Sequence, residues 1–563
     1  MEYKMTRVGT ALGVGWFSCI PDKETDMEGA LAHIKNQPND VFMHMVLLDR
    51  LRDLNPDELE PMIAKGLDGD PILLALTYEA SILNSKFGSL LEHFKGVDVE
   101  VLADKTPLMY IEWFLKKNSD ESLYWLREFS KNSNLHEPLP APEESEFPLP
   151  FEKSSIDKWL ENSGAIEKPL AAVESKKEII KGRQLREEAG ALVKKLEGMG
   201  ILTGWEARTE ATLCPFAVER PWNLEVKVET GRNKWKLTGT LMSYGRGMNI
   251  HQARMSCAME AVERLSAFAS IDSALNVTGS KHEYVLKKAT WESLKNEGAE
   301  VLDPNEMCLE VPYRNQELYW IEGERLYEDG LKKIFIPAQT VLLFSNLDET
   351  SLTSGLPSDG LGAGKTMEDA KLHAILEVIE RDADKVMPYS MERCFVLDAD
   401  DSKVRETIEG NLRKGIQIQL LDITSEFGIP CYRAFVQGPG GVLLKGSAAH
   451  LDGRAAVVSA LTEVPYPYPY WFGSMSAAKK LKTLEYEDLP NLSSGDRTRD
   501  LASVESLLLK NGYSPIYLDL TRTDLDIPVV KVLIPGLEMM TVFDRFTPLG
   551  LRQFGHYTRL FDG

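Results

Sequence analysis

The chain has 563 residues, of which 43% are hydrophobic and 27% charged, and its formal net charge is −22 at pH 7. This length predicts several domain-sized cores, and this composition is typical of an ordinary soluble globular protein rather than a disordered chain. The acidic balance argues against a nucleic-acid-binding protein, because neutralising phosphates requires clustered Lys and Arg.

The apolar run over residues 8–20 follows Lys4 and Arg7, as in a secretory leader. It contains three glycines and no small-x-small cleavage site, so we expect a buried strand instead. No stretch approaches the roughly 18 consecutive apolar residues of a membrane span. The six cysteines are dispersed without a Cys-x-x-Cys pair, which indicates reduced thiols in a cytoplasmic protein.

Residues 26–133 place apolar side chains at helical spacing, and Asn55-Pro56 reads as a helix start. The following segment has five prolines in residues 137–150, which favours an extended, semi-rigid linker. We therefore divide the chain into an N-terminal mainly helical domain (1–136), a linker (137–153) and a catalytic domain (154–563).

Beyond the linker, patterns of period two alternate with long helical patterns. A charged helix is predicted over 175–197, and alternation begins at Leu224 and continues from Trp235. Further helices are predicted at 250–270 and 366–386, and strands at 318–322, 333–336, 341–344, 417–421, 442–448 and 529–532. This mixture predicts an α+β fold with sheets covered by helices.

One motif occurs twice. Ser256–Arg264 and His373–Arg381 both contain Glu-x-x-Glu-Arg, 117 residues apart, and a Gly-x-Gly segment ends 13 residues before each first glutamate, at Gly247 and Gly364. Matched flanks of this kind predict a duplicated unit with pseudo-two-fold symmetry.

Helical spacing puts both acids of each copy on one face, and their apolar neighbours predict burial. Buried acids require partners or a metal, and Mg²⁺ is the hard cation that takes carboxylates together with phosphate oxygens. Asp369 shares the face of Glu380. The candidate metal ligands are Glu260, Glu263, Asp369, Glu377 and Glu380.

The glycine segments precede helix starts, where backbone N–H groups can receive phosphate. Arg246 lies within the first segment and Lys365 at the end of the second. The second segment, Gly360–Thr366, fails the P-loop template because Asp359 stands where a glycine is required.

The duplicated Gly-x-Gly, Ala and Glu-x-x-Glu-Arg pattern, with Ser358–Gly364 before its second copy and Pro535-Gly-Leu-Glu538 near its end, resembles the YcaO superfamily over about residues 168–538. The resemblance implies a duplicated YcaO-type core, preceded here by an all-helical N-terminal domain. It also implies ATP and several Mg²⁺ ions as cofactors. In that family ATP phosphorylates a peptide amide oxygen after a nucleophile adds to the carbonyl carbon, and loss of phosphate leaves an azoline or a thioamide.

Carried over by position, the resemblance assigns nucleotide contacts to six residues: Lys168, Ser175, Arg246, Arg264, Lys365 and Arg381. It also implies a peptide or protein substrate, a homodimer and a TfuA-like or ubiquitin-activating-like partner.

Two departures from the family pattern follow Thr462-Glu463. Tyr466 and Tyr468 stand where the family has Gln and Arg, and a Pro-x-Pro-x-Pro run that azoline-forming members carry at the C-terminus is internal here. The internal proline run favours thioamide formation or a related amide activation over an azoline, whereas the Tyr pair favours a protein that does not turn over ATP. The alternatives are an azoline-forming cyclodehydratase and a non-catalytic peptide-docking protein on a YcaO scaffold.

Overall fold

A computed structural model describes residues 1–9, 15–117, 119–164, 182–208, 213–355, 358–438, 442–465, 474, 481–538 and 543–561. Within these ranges the chain is a mixture of helices and three β-sheets, which confirms the predicted α+β class.

The strands are numbered in chain order. They are β1 (Glu2–Gly9), β2 (Gly15–Pro21), β3 (Ala207–Arg208), β4 (Phe216–Thr230), β5 (Asn233–Gly247), β6 (Ser270–Ile271), β7 (Asn276–Thr278), β8 (Tyr284–Val285), β9 (Lys287–Ala289), β10 (Leu318–Tyr327), β11 (Gly330–Pro337), β12 (Leu361–Ala363), β13 (Cys394–Asp398), β14 (Gln419–Asp422), β15 (Cys431–Gln437), β16 (Leu443–Ala449), β17 (Lys482–Glu485), β18 (Ile516–Asp519) and β19 (Val529–Leu533).

The helices are numbered in the same way, and none within the described ranges combines the length and apolarity needed to cross a membrane. They are α1 (Met27–Asn36), α2 (Val41–Asp53), α3 (Pro56–Leu67), α4 (Pro71–Leu83), α5 (Val99–Ala103), α6 (Tyr110–Lys117), α7 (Asp120–Leu135), α8 (Lys153–Gly164), α9 (Gly182–Gly198), α10 (Ile250–Ala267), α11 (Trp291–Asn296), α12 (Met367–Val386), α13 (Ser402–Arg413), α14 (Gly453–Glu463), α15 (Arg497–Lys510) and α16 (Leu551–Thr558).

The first sheet has the order β2-β1-β5-β4-β6-β7-β8, with β3 added beside β4. Its long hairpin, β4 and β5, is in register from Phe216 opposite Gly247 to Thr230 opposite Asn233. The predicted alternation holds in β4, where Leu224, Val226 and Val228 are buried between exposed residues.

The second and third sheets carry the rest of the core. The second has the order β11-β10-β18-β19-β12, with β9 beside β10, and the third has the order β16-β15-β14-β13-β17. Helix α12 packs against β12 and β19 on one side and contacts α15, α16 and β16 on others. This helix therefore connects the second sheet to the third.

The N-terminal region is helical from α1 to α7, and it is joined to the first sheet rather than separate from it. Strand β1 pairs in parallel with β5, and the Phe42 ring of α2 lies 5.2 Å from both the Tyr3 ring and the Trp235 ring. Where one strand was expected over residues 8–20, the described residues belong to two antiparallel strands, the end of β1 and most of β2.

The proline-rich segment has no helix or strand and packs against α7 and α16. Trp125 Nε1 donates to the carbonyl of Pro148, and Tyr557 Oη donates to the carbonyl of Pro140. The domain limits at 136 and 153 stay a prediction.

The duplication is visible in how two glycines meet two helices. A Cβ atom on Gly245 would overlap Ala253 O and Cys257 N, and a Cβ on Gly362 would overlap the equivalent atoms of Ala370 and Ala374. Each pair of positions is 117 residues apart, as in the sequence repeat. The glycines therefore let each strand lie directly against the backbone of its carboxylate-bearing helix.

One predicted strand is wrong. Residues 341–344 form turns instead, and Phe344 and Asn346 adopt left-handed backbone conformations with φ of 49° and 38°. The run is apolar because it is buried, with Phe344 stacked on Phe268 at 5.6 Å. Burial without a neighbouring strand produced a strand-like pattern.

We expect Gly245→Ala or Gly362→Ala to lower the free energy of unfolding by about 1–3 kcal/mol or more, because the new methyl group must push the helix backbone away. Gly88→Ala is the matched control, since nothing lies within 4 Å of its Cβ position. Urea unfolding of the three variants checks this, and equal midpoints would contradict the proposed close approach.

Candidate active site

The two carboxylate-bearing helices meet at one edge of the second sheet. Both α10 and α12 contact β12 and β19, and α14 approaches from the other side through β5 and β16. Helix α10 begins at the N-cap Asn249 and α12 at the N-cap Thr366, whose side chains accept hydrogen bonds from backbone N–H groups in the first turn. These caps follow directly after the glycine segments, which fixes the direction in which each helix leaves its strand.

Six carboxylates act on one another electrostatically at this junction. Glu263, Glu377 and Glu380 have side chains only 12%, 20% and 13% exposed, so these carboxylates are largely buried. The full set is Glu260 and Glu263 from α10, Glu377 and Glu380 from α12, Glu463 at the end of α14, and Asp359 before β12.

Arg381 is the main internal cation of this acidic cluster. Its guanidinium nitrogens lie 3.2 Å from Asp359, 3.7 Å from Glu377 and 3.5 Å from Glu380. On the other helix, Arg264 lies 4.0 Å from Glu263. One guanidinium is thus shared among three carboxylates, and its distance to each of them exceeds 3 Å.

Two further cations complete the cluster. Lys531 is buried in β19, where its Nζ donates to the carbonyl of Asp359 at 2.5 Å, and Arg246 of β5 lowers the pKa of Glu260 and Glu463 against burial. The backbone N–H of Tyr244 also donates to Glu260 Oε2 at 2.7 Å. Four cations therefore face six carboxylates, so two negative charges are uncompensated when all groups are ionised.

The pKa values record this imbalance. Burial raises the pKa of Glu263 from 4.5 to about 8. The positive charge of Arg264 lowers this pKa, and the negative charges of Glu377 and Glu260 raise it further. Burial likewise raises the pKa of Asp359 to about 6 and lowers that of Lys531 to about 8. The pKa values of Glu260, Glu377, Glu380 and Glu463 are all raised, first by burial.

The donor set fits Mg²⁺ in the manner that this ion usually adopts. Across the described residues, no three His, Cys, Asp or Glu side chains converge closely enough to enclose a metal ion by themselves. Mg²⁺ typically takes one or two carboxylates and completes its shell with water and phosphate oxygens. A cluster with raised pKa values and excess negative charge suits cations that arrive with a nucleotide.

Two predicted site residues lie beside the cluster and have other partners. Lys365 forms an ion pair with Glu188 of α9 at 2.6 Å, and Asp369 lies 3.5 Å from Arg497 of α15. Asp369 is one turn of α12 from His373 and two turns from Glu377, so it lies on the face of the helix that carries Glu377.

Four residues that the sequence singled out, Lys168, Ser175, Tyr466 and Tyr468, lie outside the described residues. Their assigned roles stay predictions.

Asp359, Glu463 and Lys531 are members of the cluster that motif spacing did not assign to the site. Their signals were present but weak: Asp359 stands immediately before the glycine segment, Glu463 is in the Thr-Glu pair, and Lys531 is a single lysine within the apolar strand β19.

Cys257, which lies inside the first motif, is a packing residue. It is 4% exposed, its Sγ donates to Ser243 O at 3.3 Å, and burial raises the pKa of the thiol to about 12. This environment does not generate a thiolate nucleophile.

The acidic cluster predicts a pH dependence of stability. Between about pH 5 and 8 the folded state holds a proton on Glu263 that the unfolded state has lost, so stability without Mg²⁺ falls as the pH rises through this window. We expect Glu263→Gln to remove part of that slope and to stabilise the protein at pH 8 by about 1–3 kcal/mol. Thermal unfolding in EDTA across this pH window measures both the slope and the change in stability, with the exposed Glu225→Gln as the matched control. A slope that Glu263→Gln leaves unchanged would show that Glu263 ionises normally.

Two curated proteins are similar to the chain in sequence. An uncharacterised protein of Methanothermobacter thermautotrophicus is 28% identical over 334 residues, covering 53% of this chain and 82% of that protein. An uncharacterised protein in the tfuA 3′ region of Rhizobium leguminosarum bv. trifolii is 27% identical over 260 residues, which are 43% of this chain and 57% of that one. The match therefore spans little more than half of the Rhizobium protein.

Among solved structures, YcaO from Methanopyrus kandleri bound with AMPPCP and Mg²⁺ aligns at a TM-score of 0.45 and 20% identity, over 63% of this chain and 91% of that one. The sequence profile of the family described as "YcaO cyclodehydratase, ATP-ad Mg2+-binding" matches residues 244–465 and 468–538, together just over half of the chain. This match includes the residues of the acidic cluster. The chain belongs to the YcaO family, and its cofactors are ATP and Mg²⁺.

Proposed function

We propose that this protein is an ATP-dependent enzyme that activates a backbone amide of a peptide or protein by O-phosphorylation and forms a thioamide. The observation that carries the proposal is the cluster of six carboxylates, held by three helices and the turn before β12 around four cations. Such a cluster is unfavourable unless cations enter it, and ATP with Mg²⁺ supplies them together with the phosphoryl group that activates the amide oxygen.

Each group has a defined part in this proposal. Mg²⁺ is held directly or through water by Glu260, Glu263, Glu377 and Glu380. Asp369 extends this set of ligands along the face of α12 that carries Glu377. Arg264 and Arg381 keep the carboxylates in place and stabilise negative charge on the phosphates. Arg246 and Lys365, at the two glycine segments, contact phosphate oxygens, and Lys168 and Ser175 contact the nucleotide.

The choice of thioamide over azoline rests on sequence. The Pro-x-Pro-x-Pro run is internal, and one relative lies in a tfuA region by its printed name. We include in the proposal a TfuA-like partner that delivers sulfur, a homodimer and a cytoplasmic location. The described cysteines are free thiols, which suits a reducing compartment.

We expect Glu260→Gln and Glu377→Gln each to weaken Mg²⁺-dependent ATP binding by about 10- to 100-fold, because each removes a charge that holds the metal. Isothermal titration calorimetry with ATP in Mg²⁺ and in EDTA measures this, with Glu225→Gln as the control. Equal affinity of both variants and the wild type would overturn the proposed site.

The product distinguishes the candidate activities. With a polypeptide substrate, a sulfide source and ATP, we expect a product heavier by the mass difference between sulfur and oxygen, detected by mass spectrometry. Loss of one water from the substrate instead identifies the azoline-forming alternative. Binding of the polypeptide without ATP turnover and without any mass change identifies the non-catalytic docking alternative.

A further inference from the structure

A groove of about 630 Å³ lies outside the acidic cluster, between α9, the segment before β4 and the start of α10. This volume is in the range of sites that bind small molecules or short peptide segments. Its floor contains the small or apolar residues Ala189, Gly190 and Val193, and its walls carry charged side chains. The charged and titratable residues of the groove are Arg186, Lys194, Glu197, Glu206, Arg220, His251 and Arg254.

The groove is basic in a chain of net charge −22. Arg220 pairs with Glu197 at 2.5 Å, and Arg254 pairs with Glu206 at 2.8 Å, so both acids of the groove are already neutralised. Arg186 and Lys194 form no ion pair with any residue in the described ranges. Arg186 and Lys194 are eight residues, or about two turns, apart on one side of α9, so two positive charges without a partner among the described residues line the groove.

Trp205 adds an apolar contact at the edge of the groove. It is 92% exposed, although an indole of this size is normally covered. Exposed aromatic side chains beside charged ones are typical of surfaces that bind polypeptides.

Helix α9 separates this groove from the candidate active site. Glu188, which pairs with Lys365 at the second glycine segment, is two residues from Gly190 and so lies on the opposite side of the helix. A polypeptide in the groove would thus lie on the opposite side of α9 from the Glu188–Lys365 ion pair.

We propose that this groove docks an acidic segment of the polypeptide substrate, with Arg186 and Lys194 binding its carboxylates and Trp205 covering an apolar side chain. This inference rests on the proposed function for the identity of the occupant as substrate. The chain as a whole is negatively charged and repels acidic peptides. The positive charges of the groove attract them at short range, so we expect acidic segments to bind at the groove and not elsewhere.

The test uses the full chain and two fluorescein-labelled dodecapeptides that alternate Leu with Glu or Leu with Lys. Fluorescence anisotropy is measured without nucleotide at two salt concentrations. We expect the Glu peptide to bind at least about tenfold more tightly than the Lys peptide, with affinity falling as salt rises. Equal binding of both peptides would overturn the proposal.

Two variants locate the binding. We expect the double variant Arg186→Glu, Lys194→Glu, and separately Trp205→Ala, each to weaken binding of the Glu peptide by about tenfold. The control is Lys95→Glu, Lys333→Glu, which makes the same change in net charge at side chains 74% and 76% exposed outside the groove. An equal loss in the control, or no loss in the groove variants, would show that the groove is not the binding site.

Two further measurements separate the remaining outcomes. Sedimentation shows whether the groove double variant breaks a wild-type dimer, which would make the groove an interface between copies and overturn substrate docking. Calorimetry with ATP and Mg²⁺ is expected to give unchanged affinity in the double variant. Absence of ATP binding in the wild type would overturn the proposed function, and with it the substrate's identity, while the peptide results still report on the groove.

Discussion

The electrostatic repulsion among six carboxylates is the constraint on which the rest of the site depends. Gathering them where three of the side chains are at most one-fifth exposed is unfavourable in water and worse when water is excluded. Arg381 and Lys531 offset part of the repulsion from within, and both are fixed by the packing of α12 and β19. The remaining negative charge both destabilises the cluster and gives it the proposed affinity for cations.

Holding such a cluster together requires rigid supports that lie very close to one another. The contacts of Gly245 and Gly362 with helix backbone provide this closeness twice, and Gly446 approaches Ala460 and Glu463 of α14 in a similar way. Backbone against backbone leaves little freedom for a helix to shift or rotate. The carboxylates are therefore placed by main-chain contacts, which do not depend on the rotamers of neighbouring side chains.

Sequence reasoning succeeded where information is local or repeated. The Glu-x-x-Glu-Arg copies, their matched glycines and the period of β4 each follow from spacing along the chain, and the structure brings both acid pairs together. Sequence reasoning missed site residues that only the three-dimensional packing of distant segments brings together. Glu463 is 83 residues from Glu380 and Lys531 is 172 residues from Asp359, and no periodic pattern relates such positions. The false strand at 341–344 has the same origin, because burial against Phe268 is invisible in the pattern.

Strand β1 has a consequence for how the chain acquires its structure. One side of β1 pairs locally with β2, whereas its other side, at residues 2–4, pairs in parallel with residues 236–238, more than 230 residues later in the chain. Closing so long a loop is entropically costly, and contacts of this kind slow folding. Helices α1 to α7 lie within that loop, and α2 packs its Phe42 ring against both Tyr3 of β1 and Trp235 of β5. During synthesis this apolar side of α2 therefore stays partly exposed until β5 has emerged, and exposed apolar surface of this kind favours aggregation.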